Sequence, residues 1–258
     1  MRETILKGCD LSMSFGGVRA VNNFCMDLYP GETRGIIGPN GAGKTTIFNL
    51  FSRIYQQNTG SIEFSGVVID AKTQIQVAQL GLARTFQNIR LFSGLSVLDN
   101  VKVSLDFAGK YNLFEAMFLL PRRFKQEKET KERAYECLCA LRLEQYAHLR
   151  PSNLSYGLQR RVEIARAMVS SPKVLLLDEP AAGLNPEEVF ELIDFINEIR
   201  VQNPEIAILV IEHRMDLIMN LCQYLYVQNF GNTIAEGPPV EIQQDKVVLA
   251  AYLGEEEA

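Results

Sequence analysis

The chain has 258 residues, of which 47% are hydrophobic, and a formal net charge of −5. This size allows one large domain with a substantial core. The acidic balance argues against a broad basic face for nucleic acid. No apolar run approaches the roughly 20 residues that span a bilayer, and the N-terminus lacks the pattern of a signal peptide.

The first third of the chain reads mainly as strands. "AVNNFCMDLY" alternates, with Phe24, Met26 and Leu28 on one side, which predicts a half-buried strand. "GETRGIIG" predicts a turn and a short apolar strand that runs into a glycine-rich loop. "KTTIFNLFSRI" follows as a helix, and "GSIEFSGVVID" as a pair of strands. This part is therefore expected to be an antiparallel β region joined to a strand–loop–helix unit.

The middle and last thirds differ in pattern. From about Ser96 to Leu149 the periodicity is helical, and the charged run "RRFKQEKETKER" reads as an exposed face. "KVLLLDEP" and "IAILVIEH" predict parallel strands buried on both faces, with the helix "NPEEVFELIDFINEIR" between them. We expect a single α/β domain over 1–258, with a mostly parallel sheet, a core over 1–90 and 160–258, and a helical subdomain over about 91–159.

The loop "GPNGAGKT" fits the pattern G-x-x-x-x-G-K-[ST] in full and lies between a predicted strand and a predicted helix. In such a loop the glycines let backbone N–H groups surround phosphates, Lys44 contacts the outer phosphates, and the Thr45 hydroxyl can bind Mg²⁺. The predicted phosphate-binding residues are Gly38, Pro39, Asn40, Gly41, Ala42, Gly43, Lys44, Thr45 and Thr46.

Two acidic residues end the buried strand "VLLLDEP". Asp178 at the strand tip can hold Mg²⁺, directly or through water, and Glu179 can polarise a water for attack on a γ-phosphate. On their own, these acids are equally consistent with a strand end and a helix cap. Their combination with the phosphate loop favours the catalytic interpretation.

Three further residues are weaker candidates. His213 ends the strand "IAILVIEH" and can bond a γ-phosphate, or serve as a capping or core histidine. Gln87 follows a short strand and can reach a metal and the attacking water, or lie on the surface. Phe15 can stack on adenine, or pack in the core.

The stretch "NLSYGLQRRVEIARA" predicts a second phosphate-type feature. Ser155 and Gly157 precede or open an amphipathic helix whose apolar face carries Leu158, Val162 and Ala165. A hydroxyl, a glycine and a helix N-terminus together favour anion binding. The sequence therefore places two phosphate-type loops in one chain.

Taken in order, these motifs resemble those of the ATP-binding subunit of ABC transporters, across almost the whole chain. Phe15 is similar to the adenine-stacking aromatic, Gly38–Thr45 to the Walker A loop and Gln87 to the Q-loop glutamine. "LSYGLQRR" resembles the signature, which brings in Tyr156. Asp178 and Glu179 resemble Walker B and its catalytic base, "AAGLNP" the D-loop, and His213 the switch histidine.

The resemblance implies ATP and Mg²⁺ as cofactors and a head-to-tail pair of ATPase subunits, as a homodimer or a heterodimer. Ser155, Tyr156 and Gly157 then serve the ATP held by the partner chain, with Thr45, Gln87 and Asp178 around the metal. It further implies permease subunits, contacted through the segment after Gln87 and the helical insertion. An extracytoplasmic solute-binding protein would act indirectly, and the chain would sit peripherally on the cytoplasmic face of the inner or plasma membrane, without nucleic acid.

The finer pattern favours one subfamily. "GLARTFQNIRLFSGLSVLDNV", "LDEPAAGLNP" and "IAEGPPVEI…AYLGE" resemble the ATPases that drive uptake of branched-chain amino acids. The alternatives are the ATPase of a lipopolysaccharide or other lipid exporter, an ABC ATPase acting on nucleic acid or ribosomes, and a non-catalytic regulatory binder. The chain departs from the usual family pattern at Leu158, Asn185 and Arg214.

Overall fold

The structure is a computed structural model that describes residues 3–106 and 121–253. Its strands are β1 (Leu6–Phe15), β2 (Val18–Leu28), β3 (Thr33–Ile37), β4 (Thr59–Phe64), β5 (Val67–Val68), β6 (Leu82–Arg84), β7 (Val174–Asp178), β8 (Ala207–Ile211), β9 (Tyr224–Asn229) and β10 (Asn232–Gly237). Its helices are α1 (Lys44–Phe51), α2 (Gln74–Leu80), α3 (Val97–Asp106), α4 (Pro121–Ala140), α5 (Tyr156–Met168), α6 (Pro186–Gln202), α7 (Met215–Leu221), α8 (Pro239–Ile242) and α9 (Lys246–Leu253). Short 3₁₀ helices cover Glu144–Tyr146 and Pro151–Asn153.

The chain forms two compact units. The first comprises residues 1–87, 173–182 and 200–258, and the second residues 88–172 and 183–199. The division expected from the sequence, a core over 1–90 and 160–258 with a helical subdomain over about 91–159, stays a prediction. Helix α5 lies in the second unit.

A six-stranded sheet in the first unit has the order β10-β9-β3-β8-β7-β6. The pairs β9–β3, β3–β8, β8–β7 and β7–β6 are parallel, and only the edge pair β10–β9 is antiparallel. Every residue of β7 and β8 is buried, because parallel strands of this kind are covered on both faces. The expected mostly parallel α/β sheet is confirmed.

A second sheet in the first unit has the order β2-β1-β4-β5, with antiparallel pairing throughout. Phe24, Met26 and Leu28 of β2 are buried, as their alternation predicted. They join a hydrophobic cluster that includes Phe48 and Phe51 of α1. This cluster therefore fixes the helix that follows the glycine-rich loop against the strands.

The described part of the second unit is helical. Helix α6 begins at Pro186, carries Glu187 and Glu188 in its first turn, and buries the predicted stripe of Val189, Leu192, Ile193 and Ile196. Helix α5 buries Val162, Ala165 and, just beyond its end, Val169, while Leu158 is half-buried. Residues 107–120 of the expected helical segment lie outside the described residues.

Across residues 3–106 and 121–253, we find no helix with both the length and the apolar character needed to cross a bilayer.

Candidate functional site

The carboxyl ends of four adjacent strands lead directly into predicted site residues. Strand β3 runs into the loop at Gly38, β8 into His213, β7 ends at Asp178, and the segment after β6 reaches Gln87. Since the four strands lie side by side in the order β3-β8-β7-β6, these segments leave the same edge of the sheet. That edge is where open α/β sheets bind ligands.

The backbone of the glycine-rich loop requires its glycines. Gly38 has a φ of 144° and Gly43 a φ of 100°. A Cβ atom on Gly38 would lie 2.0 Å from the carbonyl oxygen of Gln228, and one on Gly43 would lie 2.1 Å from that of Ala20. No other residue fits at these two positions, so the loop can bring its N–H groups close to a bound anion.

Lys44, the first residue of α1, folds back over this loop. Its Nζ donates to the carbonyl oxygens of Gly38 at 2.6 Å and Pro39 at 2.7 Å, and the residue is buried. Thr45 beside it is exposed and Thr46 is half-buried. The loop thus holds a cation, a hydroxyl and the N-terminus of α1 in one place, which is the donor set that phosphate groups require.

Asp178 is buried at the tip of β7 and pairs with Arg84. The Nη2 atom of Arg84 donates to Asp178 Oδ2 at 2.7 Å, and both side chains are at most 7% exposed. Sequence analysis identified the acid but missed its partner. No local signal in the sequence indicated that partner, because the contact depends on β6 lying beside β7 in the sheet.

Glu179 follows Asp178 with an unusual backbone conformation and a side-chain partner. Its φ is 44°, in the left-handed region that residues other than glycine rarely adopt. Its Oε2 accepts a hydrogen bond from Gln87 Nε2 at 2.6 Å. The structure therefore brings two of the predicted catalytic residues into contact, and a backbone outlier at a strand end supports a functional role.

Glu212 holds the backbone that carries His213. Its fully buried carboxylate accepts hydrogen bonds from the N–H groups of Ala181 at 2.8 Å, His213 at 2.9 Å and Arg214 at 3.1 Å. The His213 side chain itself is 58% exposed. Sequence analysis missed Glu212, although an acid inside the apolar run "ILVIEH" was a usable signal.

Phe15 lies at the end of β1 and is 43% exposed. Its ring packs edge-on against Tyr55, with the ring centroids 5.2 Å apart. Phe15 is therefore not a core residue, and its half-exposed ring leaves area that a second ring could stack on.

In the second unit, side chains of the same unit accept hydrogen bonds from backbone N–H groups in the first turn of α5. Ser155 is the N-cap, and its Oγ accepts a hydrogen bond from Leu158 N at 3.3 Å. The Gly157 N–H donates to Glu188 Oε1, also at 3.3 Å. Tyr156 is 41% exposed. The predicted anion-binding amide thus already has a carboxylate acceptor within the chain.

The segment after Gln87 is attached to α5 within the second unit. The backbone N–H of Arg90 donates to Glu163 at 3.2 Å, and its carbonyl accepts from Arg166. Glu163 is buried and paired with Arg160 at 2.7 Å. Burial raises the pKa of the Glu163 carboxyl, while Arg160 opposes that shift. Arg90 is therefore fixed to the helix that Ser155 caps.

Two of the three departures from the usual family pattern form side-chain contacts at the start of a helix. Asn185 Oδ1 accepts a hydrogen bond from Glu188 N at 2.9 Å and so caps α6. Arg214 pairs with Asp216 at 2.8 Å in the first turn of α7. Leu158 is a half-buried residue of α5.

Comparisons with known proteins identify the family of the chain. A family model described as ABC transporter matches residues 21–182, and one described as Branched-chain amino acid ATP-binding cassette transporter matches residues 232–258. LivG of Escherichia coli (strain K12), a high-affinity branched-chain amino acid transport ATP-binding protein, is 42% identical over 99% of this chain and 100% of its own length. BraF of Pseudomonas aeruginosa, which bears the same description, is 38% identical over the same shares.

Among solved structures, the ADP conformation of MJ1267, an ATP-binding cassette of an ABC transporter, has a TM-score of 0.85 at 28% identity. The match covers 98% of this chain and 99% of that one. It confirms the expected fold over nearly the full length. The chain belongs to the ABC transporter family as an ATP-binding subunit, and members of this class hydrolyse ATP to power transport.

Proposed function

We propose that this chain is the ATP-hydrolysing subunit of an importer for branched-chain amino acids. The observation that carries this proposal is the sheet edge, where the loop over residues 38–46, the acids Asp178 and Glu179, and the segment with His213 leave neighbouring parallel strands. The solute class is supported by the names of the relatives LivG and BraF and by the match over residues 232–258.

The loop over residues 38–46 would bind the phosphates of ATP, with Lys44 as the cation and Phe15 stacking on adenine. Thr45, Gln87 and Asp178 offer a hydroxyl, an amide and a carboxylate, which are the oxygen ligands that Mg²⁺ prefers. Within residues 3–106 and 121–253 no cluster of three or more His, Cys, Asp or Glu side chains could hold a metal alone. This donor set fits Mg²⁺ that is bound together with the nucleotide phosphates, where it would neutralise phosphate charge.

Glu179 would act as the general base that takes the proton from the attacking water. Gln87 would position that water, since its amide already contacts the Glu179 carboxylate at 2.6 Å. His213 would donate to the γ-phosphate from a loop that Glu212 holds in place. Gln87 and His213 differ in role from Glu179, because neither needs to accept the proton of the attacking water.

The segment over residues 153–157 would act on the nucleotide of a second ATPase subunit in a head-to-tail dimer. Ser155, Tyr156 and Gly157 would offer a hydroxyl, backbone amides and a helix N-terminus to the γ-phosphate bound by the partner. ATP held between two chains stabilises the closed dimer, and hydrolysis releases it. A homodimer and a heterodimer both satisfy this arrangement.

Permease subunits would contact the chain through the segment that follows Gln87, with the chain peripheral on the cytoplasmic face of the membrane and a solute-binding protein on the other side. Gln87 is the last residue of the first stretch of chain in the first unit, and Arg90 is fixed to α5 in the second unit. Cysteines introduced at Arg90 or Leu91, after replacement of the exposed Cys25 and Cys139, should crosslink to a permease loop. A cysteine at the exposed Lys246 is the control, and crosslinking only from residues 254–258 would contradict the assignment.

The function is tested by reconstituting the chain with its permease and binding protein in vesicles. ATP inside should drive uptake of labelled leucine but not of labelled lysine, and Glu179→Gln should stop it. Uptake of neither amino acid, together with ATP-dependent release of lipid or lipopolysaccharide, would establish the exporter alternative. ATP hydrolysis that no permease stimulates would indicate an ATPase outside transport.

A further inference from the structure

We propose that Arg84 is a positioning residue that orients the Asp178 carboxylate for the metal-bound nucleotide, an inference that rests on the proposed function. Arg84 is the last residue of β6 and Asp178 is the last residue of β7. The two strands are parallel neighbours, and Arg84 lies opposite Leu176 in the register. The residue with the guanidinium and the residue with the carboxylate therefore end neighbouring strands at the same edge of the sheet.

The Arg84 guanidinium joins two elements of the site. Nη2 donates to Asp178 Oδ2 at 2.7 Å, whereas Nη1 donates to Asn49 Oδ1 and to Ser52 Oγ, both at 2.8 Å. Asn49 lies in the last turn of α1, the helix that begins with Lys44 and Thr45, and Ser52 is the C-cap residue of the same helix. One side chain thus connects the helix that carries Thr45 to the strand that carries Asp178.

The surroundings leave the guanidinium little freedom. It lies against the rings of Phe48 and Phe86, with its central carbon 5.5 Å and 5.2 Å from the ring centroids. The side chain is only 7% exposed. A planar fork that stacks on aromatic rings and donates in two directions is a property of arginine that lysine does not share.

This geometry has a consequence for Asp178. With Oδ2 engaged by Arg84, rotation of the carboxylate is restricted, which leaves Oδ1 as the oxygen that would face the metal-bound nucleotide. Because Arg84 also binds Asn49 and Ser52, it fixes the position of Asp178 Oδ1 relative to α1. That helix carries the Thr45 hydroxyl. Partners of a metal ligand typically contribute about 10–100-fold to metal affinity by fixing its orientation.

A buried ion pair that serves folding alone is the competing interpretation, and buried pairs are weak evidence for stability. The chain provides a matched control in Arg34, on β3 of the same sheet. Arg34 pairs with Glu32 at 3.0 Å, donates to Tyr226 Oη at 2.6 Å and lies over the Tyr224 ring. It sits near the beginning of its strand, away from the edge where Asp178 lies.

The experiment measures the affinity of a fluorescent ADP analogue in EDTA and over a Mg²⁺ titration, with thermal unfolding recorded for every variant. We expect Arg84→Met to leave the affinity in EDTA unchanged and to lower the Mg²⁺-dependent gain by about tenfold or more. Arg84→Lys should lose less, because an ammonium can pair with Asp178 but cannot also bridge to α1. Arg34→Met should keep the full gain even if it unfolds at a lower temperature.

If Arg84→Met does not fold, the double variant Asn49→Ala/Ser52→Ala tests the same point, because it removes only the α1 end of the bridge. It should lower the Mg²⁺-dependent gain without affecting binding in EDTA. An unchanged or increased gain in these variants would overturn the proposal, as would an equal loss in Arg34→Met or an equal loss in EDTA. A wild-type chain with no Mg²⁺-dependent gain would instead overturn the metal assignment itself, and this inference with it.

Discussion

Two helices of the protein have a glycine at or near the N-terminus, and the N–H groups of their first turns are satisfied in opposite ways. Helix α1 is preceded by Gly43, which provides no side-chain cap, and its first turn contains no acidic residue. Helix α5 is capped by the Ser155 hydroxyl, and the N–H of Gly157 donates to the Glu188 carboxylate. We refer to these as the Lys44 loop (residues 38–46) and the Ser155 loop (residues 153–157).

The difference shows that a glycine and a helix N-terminus do not by themselves define an anion site. The Lys44 loop adds a buried cation to the helix dipole, so both favour a phosphate. The Ser155 loop places a carboxylate next to the dipole, and that charge opposes a phosphate. We therefore expect the first loop to bind nucleotide unaided, whereas the second contributes only when a partner chain brings the phosphate to it.

The largest effect should come from Lys44→Ala, which tests the first half of this comparison. The phosphates lose their cation and the loop loses the amine that ties Gly38 to Pro39. Charge-assisted hydrogen bonds contribute about 1.5–3 kcal/mol, so nucleotide affinity should fall about 10–100-fold or more. Calorimetric titration with ATP measures it, and Lys173→Ala, an exposed lysine of the same unit, is the control. An affinity close to that of wild type would show that the loop binds without its cation.

Glu179→Gln separates binding from turnover at the same sheet edge. The amide keeps the shape and the contact with Gln87 but cannot accept the proton of the attacking water. Turnover should fall about 10²–10⁴-fold while ATP binding persists. Phosphate release measures turnover, and size-exclusion chromatography detects the dimer that bound ATP holds together. Glu205→Gln, at an exposed acid, should hydrolyse normally, and undiminished release from Glu179→Gln would assign the base elsewhere.

The contrast between the loops also explains which features of the structure could be predicted from the sequence. The Lys44 loop was predictable because its spacing encodes a local backbone shape, and the buried strands β7 and β8 were predictable from their apolar runs. The pairing of Arg84 with Asp178 was not, because it depends on β6 lying beside β7, and the sequence does not encode strand order locally. The contact of Gly157 with Glu188, 31 positions away, arises only from tertiary packing.

Mixing two inactive variants tests whether the two loops act on one ATP from different chains. In a dimer of Lys44→Ala with Ser155→Arg, a composite arrangement leaves one site with an intact Lys44 loop and an intact Ser155 loop. One phosphate-stabilising group typically contributes about 10²–10³ in rate, so the ATPase activity of the mixed dimer should exceed that of either parent variant. Steady-state ATPase of dimers purified through two different tags measures the rescue.

A second mixture controls that experiment. Pairing Lys44→Ala with the double variant Lys44→Ala/Ser155→Arg leaves no intact Lys44 loop in either arrangement, so it should stay inactive. Parental activity in a verified dimer of the two single variants would indicate that each chain completes its own site. The comparison of the loops would then fail, because the Ser155 loop would not serve a partner.

The smallest effect tests the carboxylate that distinguishes the Ser155 loop. Gly157 N donates to Glu188 Oε1 and Asn185 N donates to Oε2, so in Glu188→Gln the single amide oxygen can accept from only one of them, and the charge beside the α5 N-terminus is gone. A charge at a helix terminus contributes about 0.3–1 kcal/mol, so the ATP concentration that half-assembles the dimer should fall about two- to fivefold. The measurement uses the Glu179→Gln background, so that hydrolysis does not reverse assembly. Glu187→Gln removes an exposed charge from the same turn of α6 and should change assembly less. If Glu188→Gln weakens assembly instead, the carboxylate holds the Ser155 loop in its binding shape, and the opposition between the two loops is wrong.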